Sequence, residues 1–246
     1  MIITRYKIKG PKLKVAVVAD LHGQPTKELY EALKVEKPDI ITVPGDLATV
    51  GEYDDRLVDP ERREKRLKTQ EGGLQFLKNA VGIAPVFYSR GNHEWGIDDV
   101  YREEVKAAGA VLLENEWTKF SDVWIGGQNS PKCGAKYKDG KEITDTTEPD
   151  INWLKRSTPD GYRVLLNHHP EYYDFVEPYA DLIVSGHSHG SQAVVFGRGL
   201  FAPGQGWFPK YTKGQYGKMI VSAGLTNTTW VPRIGNPTEL VIIEIE

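Results

Sequence analysis

The sequence predicts an α/β fold built on two sheets, and three observations carry that expectation. Apolar segments of strand length recur along the whole chain, helical stretches separate the early ones, and the second half is richer in strands and turns. Taken in order, Met1–Gly10 alternates apolar and polar residues and includes Arg5, Lys7 and Lys9. It reads as a first β-strand and lacks the continuous apolar stretch of a signal peptide. Further strands are expected at Val15–Ala19, Ile40–Val43, Val86–Tyr88, Val123–Ile125, Val164–Leu166, Leu182–Val184, Met219–Ser222 and Leu240–Ile245. The first few are continuously apolar, the pattern of strands covered on both faces.

Two helices have clear punctuation. Thr26–Glu36 opens on a Thr cap and stops before Pro38. Asp98–Ala108 has acidic residues in its first turn and Gly109 just past its end, which suits the helix dipole and the C-cap. Asp54–Lys68, which contains Glu61-Arg62-Arg63-Glu64-Lys65-Arg66-Leu67-Lys68, reads as an inserted, solvated helix. Gly190–Gly217, with Trp207, Phe208, Lys210, Tyr211 and Lys213, suits a long ordered loop; loops beyond about 15 residues are often functional. No internal repeat or linker divides the chain, so residues 1–246 are expected to form a single domain.

Composition narrows the function classes. The chain has 246 residues, 39% of them hydrophobic and 10% aromatic, which is enough apolar material for a core and too much for disorder. A formal charge of −3 supplies no cationic field for gripping a phosphate backbone, so no obligate nucleic-acid partner is expected. Cys133 stands alone, which excludes an internal disulfide framework and any thiolate-clustered metal site. No apolar run approaches the ~20 residues of a membrane span. The expectation is a soluble cytoplasmic protein, with its oligomeric state left open.

The histidines are the informative feature. His22, His93, His168, His169, His187 and His189 each lie just after an apolar, strand-like run. The clusters are Ala19-Asp20-Leu21-His22, Pro44-Gly45-Asp46, Arg90-Gly91-Asn92-His93-Glu94, Asn167-His168-His169-Pro170 and Gly186-His187-Ser188-His189-Gly190. In an open α/β sheet, ligands gather outside the carboxyl ends of the strands, so these five clusters can converge on one edge. Carboxylates, imidazoles and a carboxamide without sulfur suit Mn²⁺, Fe²⁺ or Zn²⁺. There are too many donors for one tetrahedral zinc, and a carboxylate able to bridge fits a pair of ions about 3.5–4 Å apart.

The series D-x-H, G-D, G-N-H-E, H, G-H-x-H, running from Asp20 to His189, resembles the calcineurin-like metallophosphoesterase superfamily. The ending Val231-Pro-Arg-Ile-Gly-Asn-Pro-Thr-Glu-Leu is similar to its YkuE/YaeI-type bacterial phosphoesterase branch. The resemblance implies a four-layer α/β/β/α sandwich of two mixed sheets flanked by helices. It also implies two divalent metal ions, the first held by Asp20, His22 and His189 and the second by Asn92, His168 and His187, with Asp46 bridging. His93 would stay unligated beside the phosphate as the catalytic residue, and His169 would contact substrate or brace the ligands. Glu94 and Asn167 are candidates for bracing alone. Two departures stand out. Many members carry an Asp three residues after the bridging Asp, where this chain has Thr49, and many carry Gly-Gly-Gln where it has Gly190-Ser191-Gln192.

The activity that the resemblance implies is hydrolysis of phosphate mono- or diesters, small-molecule or lipid, by a metal-activated water with His93 assisting the leaving group. Three other readings compete. A nuclease or cyclic-nucleotide phosphodiesterase would want a basic groove, for which Arg198, Lys210 and Lys213 are the candidates. A non-catalytic scaffold of the same fold would tend to have lost ligands, and none is missing here. A membrane-surface enzyme would need Trp207, Phe208 and Tyr211 to form an exposed tip.

Overall fold

The computed structural model describes residues 1–50, 60–94, 96–130, 135–138, 141–144, 148–191, 194–195, 198–202, 205–227 and 233–246. The first half runs β1 (Ile2–Ile8), β2 (Leu13–Val17), α1 (Lys27–Glu36), β3 (Ile40–Pro44), α2 (Pro60–Ala80), β4 (Val86–Ser89), α3 (Asp99–Ala107) and β5 (Val111–Leu113). It continues with β6 (Glu116–Phe120), β7 (Val123–Gln128), β8 (Ala135–Lys138), β9 (Lys141–Thr144), α4 (Asn152–Ser157), β10 (Tyr162–Asn167), α5 (Tyr173–Val176) and β11 (Leu182–Ser185). Four two-residue strands come next, β12 (Val194–Val195), β13 (Arg198–Gly199), β14 (Phe201–Ala202) and β15 (Gly206–Trp207). The chain closes with β16 (Gly214–Tyr216), β17 (Met219–Val221) and β18 (Glu239–Ile245).

Two six-stranded mixed sheets result, in the orders β1-β18-β2-β3-β4-β5 and β16-β17-β11-β10-β7-β6. Strands β2 to β5 are mutually parallel, as are β7, β10, β11 and β17. The antiparallel contacts lie where β18 meets β2 and at the second sheet's edges, β6 and β16.

The apolar runs explain the layering. Along β2, Val15 and Val17 face the space between the sheets, where they meet Ile125, Val164, Leu166, Leu182 and Val184. Ala16 and Val18 face the other way, onto Leu29 and Leu33 of α1, Leu74 and Leu77 of α2, and Val105 of α3. The outer face of the second sheet packs Leu165 and Ile183 on Trp153, Leu154 and Val176 of α4 and α5. Both faces of both sheets are therefore covered, which gives the expected α/β/β/α layers.

The expected caps form. Thr26 accepts a hydrogen bond from the Leu29 amide at 3.2 Å, and Asp98 accepts one from the Tyr101 amide at 2.9 Å. The charged stretch is a helix, but a longer one than its charge pattern indicated. Glu61, Arg63, Glu64 and Lys65 are exposed, while Leu74, Phe76, Leu77 and Ala80 continue α2 into the core. A Cβ on Gly72 would lie 1.9 Å from the Gly23 carbonyl, so this helix can sit against the loop after His22 only because a glycine is there. The first part of the insert, residues 54–59, lies outside the described residues, as do Cys133 and the Arg198 side chain. Among the described residues no helix is long and apolar enough to cross a membrane.

Candidate metal centre

All five motif loops meet at the carboxyl ends of the parallel strands. Asp20 and His22 follow β2, Asp46 follows β3, Asn92 to Glu94 form a 3-10 turn after β4, His168 follows β10, and His187 and His189 follow β11. Each of these but Asn92 and His93 is buried; Asn92 is partly exposed, and the His93 side chain keeps 34% of its exposure.

Asp46 is the hub. Its Oδ2 lies 3.3 Å from His168 Nε2, 3.6 Å from His22 Nε2 and 3.9 Å from His93 Nε2, while its Oδ1 accepts the His93 amide at 3.0 Å. Burial works against ionisation here, yet the surrounding imidazoles, His168 foremost, hold the Asp46 carboxyl well below the usual carboxylate range. Glu94 fixes the hub's backbone. Its carboxylate accepts the amides of Gly91, Asp46 and Ala48 at 2.7, 3.0 and 2.9 Å. Burial and the Asp46 charge still push Glu94 up to about 7.

The donor atoms place lone pairs against one another. The Pro44 carbonyl, 2.8 Å from His168 Nδ1, can only accept, so that nitrogen carries the hydrogen. A neutral His168 then presents a bare Nε2 to Asn92 Oδ1 at 3.0 Å and Asp46 Oδ2 at 3.3 Å. Three acceptors converge with no hydrogen between them, an arrangement that demands a positive charge. Burial opposes that charge on His168, but Asp46 pushes its pKa up to about 10. His22 Nε2 and His187 Nε2 are buried without a hydrogen-bond partner, and burial keeps both rings well below the ordinary histidine range. Oxygen and imidazole donors of this kind fit divalent cations.

Asp20 binds the other side together. Its carboxylate accepts the His187 amide at 3.1 and 3.2 Å, and its carbonyl accepts the Thr226 hydroxyl at 2.8 Å. Asp20, His22 and His189 offer ligand atoms within 4.8 Å of one another, as do the trio Asp20, Asp46 and His168 and the trio His168, His169 and His187. The structure thus brings together all eight sequence-expected site residues. His189 is the one whose hydrogen bonding competes with a cation. Arg233 Nη2 sits 3.2 Å from its Nδ1, and a guanidinium only donates. The His189 Nε2 hydrogen is then directed toward Asp20 Oδ1, 3.7 Å away.

Three residues enter that the sequence left without a role. Arg233 also donates to the carbonyls of Ala223, at 2.7 Å, and Thr226; it lies in the ending Val231–Leu240 that carried a resemblance but no chemistry. Thr49 places its hydroxyl 3.4 Å from His93 Nδ1, standing where many relatives of the motif set have a carboxylate. Glu171 pairs with His169, whose Nδ1 is 2.9 Å away. Asn167 braces, as expected, donating to the His169 carbonyl at 2.7 Å. Of the basic candidates, Lys210 faces Asp174 at 3.6 Å and the Tyr211 ring. The aromatic group splits: Trp207 and Phe208 are 73% and 77% exposed, while Tyr211 is buried against Tyr173 and Tyr216.

Residues 13–191 match the family model described as calcineurin-like phosphoesterase. An uncharacterized metallophosphoesterase of Aquifex aeolicus is 25% identical over 97% of this chain and 87% of its own length. The Bacillus subtilis protein YpbG is 28% identical over 97% of this chain and 83% of its own length. An uncharacterized metallophosphoesterase of Campylobacter jejuni is 28% identical over 95% of this chain, which spans 59% of that longer protein.

Proposed function

This chain belongs to the calcineurin-like phosphoesterase family, and from that premise we propose that it is a single-domain hydrolase of phosphate mono- or diesters working with two divalent cations. The observation that carries the reading is the convergence of two oxygens on His168 Nε2, Asn92 Oδ1 at 3.0 Å and Asp46 Oδ2 at 3.3 Å. Asp20, His22 and His189 would hold one cation, Asn92, His168 and His187 the other, and Asp46 would be shared. When bound, such ions neutralise charge on the phosphate oxygens and acidify water.

The chain's own residues do the rest. The hydrogen bonds from the Asp46 and Gly91 amides to Glu94 would fix the loop that faces a bound phosphate. His93, partly exposed, is held at its amide by Asp46 and at Nδ1 by Thr49. His93 Nε2 would deliver a proton to the departing oxygen, a contribution typically worth about 10²–10⁴-fold.

The test is a panel of phosphomonoesters, diesters and pyrophosphates assayed with Mn²⁺, Fe²⁺ and Zn²⁺ in turn. Hydrolysis that stops on chelation is expected, together with a melting temperature lowered by roughly 5–15 °C, from about 2.7–4.1 kcal/mol of binding linkage in a chain of this size. Metal uptake without any hydrolysis would favour the scaffold reading instead. A faster rate on oligonucleotides or cyclic nucleotides than on small esters would favour a nuclease or cyclic-nucleotide phosphodiesterase, which the chain's net charge of −3 argues against.

One observation favours a lipid phosphate ester within the same reading. Trp207 and Phe208 stand out into solvent side by side, on a loop tied to the site by the Ser191 hydroxyl donating to the Phe201 carbonyl at 2.8 Å. Co-sedimentation with liposomes, lost on replacing both aromatics by Ser, is the expected result.

A further inference from the structure

The cage has a wall that the two sets of proposed ligands leave unused. After His168 the chain passes through His169 into a single 3-10 turn, Pro170–Tyr172. His169 is buried, its Nδ1 lies 2.9 Å from Glu171 Oε1, and its ring centroid is 4.1 Å from that of His187. The same Glu171 oxygen is 3.8 Å from His187 Nε2. Behind this wall, Asn167 holds the His169 carbonyl and the Tyr172 ring lies against His169 at 5.0 Å. Glu171 Oε2 and His187 Nε2 are both buried without a hydrogen-bond partner.

His168 supplies the rule for interpreting these orphans. Its outer nitrogen gives its hydrogen to the Pro44 carbonyl, so the inner nitrogen is the one that would turn its lone pair to a cation. Among the described residues no carbonyl accepts from His187 Nε2, and Glu171 is the carboxylate paired with its ring. An imidazole that donates from Nε2 keeps its lone pair at Nδ1. A metal-binding histidine ordinarily gives its second N–H to a carboxylate or carbonyl, which fixes the tautomer and the ring.

We propose that Glu171 is a positioning residue for the second cation: held by His169, it stands 3.8 Å from His187 Nε2 and would close on that nitrogen to take its hydrogen when the cation binds, which would leave His187 Nδ1 as the ligand atom. The inference rests on the two-cation reading of the site. Asp46 remains the shared anion, and Glu171 sets the orientation of a ligand without touching the ion.

The experiment titrates the full-length protein with Mn²⁺ alone, following heat by calorimetry and the spin-coupled pair by electron paramagnetic resonance. Wild type is expected to take up two equivalents. In Glu171→Ala the first equivalent binds as before, and the second weakens about 10–100-fold. Glu171→Gln, which keeps an oxygen able to accept the His187 hydrogen, restores most of that loss. Should the Ala variant not fold, Glu171→Leu fills the same space without an acceptor and replaces it in the comparison. Unchanged affinity for both equivalents in the acceptor-free variant overturns the inference. So does a Gln variant as weak as the Ala variant, because charge or direct ligation would then be what matters. A wild-type protein that takes up fewer than two equivalents overturns the two-cation reading and this inference with it.

Discussion

Asp20, His22 and His189 stand on left-handed backbone, as do Asp46 and His187, whereas Asn92 and His168 across the cage do not. Left-handed geometry costs a non-glycine residue about 1–3 kcal/mol, and Asp, Asn and His tolerate it better than most. The first side is therefore held by its surroundings: the His187 amide on Asp20, the Thr226 hydroxyl on the Asp20 carbonyl, and Arg233 on Ala223 and His189. The second side needs less. One carbonyl fixes His168, and a turn of 3-10 helix presents Asn92. The contrast teaches that Asp20, His22 and His189 are all positioned by strain and enclosure, whereas across the cage only His187 is strained and Asn92 and His168 rest on ordinary strand and turn geometry.

Four substitutions would break or sharpen that contrast. Asp46→Asn strikes both sides at once. It is expected to lose both ions, measured by metal content, and with them several kcal/mol of charge stabilisation, about a thousandfold in turnover. Retention of two ions would refute the shared-anion role. Arg233→Ala strikes the strained side alone. Denaturant unfolding of the metal-free protein should show a loss of about 1.5–3 kcal/mol, the worth of a hydrogen bond to a charged group.

Gly186→Ala is the next in size. Its Cβ would lie 2.6 Å from Asp20 Oδ2, and crowding of this kind costs about 1–3 kcal/mol. Thermal melting should fall by about 2–4 °C for each kcal/mol lost. A neutral result would mean the enclosure around Asp20 is looser than its contacts indicate. Thr49→Val is the smallest. Loss of one hydroxyl contact of about 0.5–1.5 kcal/mol should lower kcat two- to tenfold with KM unchanged. An unaltered kcat would mean that His93 needs no support at Nδ1.

Much of the molecule is legible in the sequence, for identifiable reasons. The eight apolar runs and the first alternating segment all form strands, because each must bury one or two faces. The left-handed positions are signalled too, by Asp and His beside Gly45, Gly186 and Gly190 at the ends of those runs. Strands β5 and β6 escape such a reading: Val111–Leu113 is short, and Glu116–Phe120 is a half-exposed edge with mixed residues. The full length of α2 escapes it because the exposed first half carries the charge pattern, while the buried second half contains Gly72 and Gly73. Thr49 meets His93 and Arg233 meets His189 across 44 residues each, and Glu171 lies outside the motifs, none of which spacing alone encodes. Tyr211 and Trp207 share an aromatic loop, yet only three-dimensional packing decides that one turns in and the other out.

The placement of β18 has a consequence for biosynthesis. This last strand lies inside the first sheet, parallel to β1 on one side and antiparallel to β2 on the other. Ribosomes deliver the chain from its beginning, at about 5–20 residues per second. Until residues 239–245 clear the exit tunnel, β2 keeps a bare hydrogen-bonding edge and β1 has nothing to pair with. The nascent protein must wait with that edge open, a state prone to mispairing with other chains.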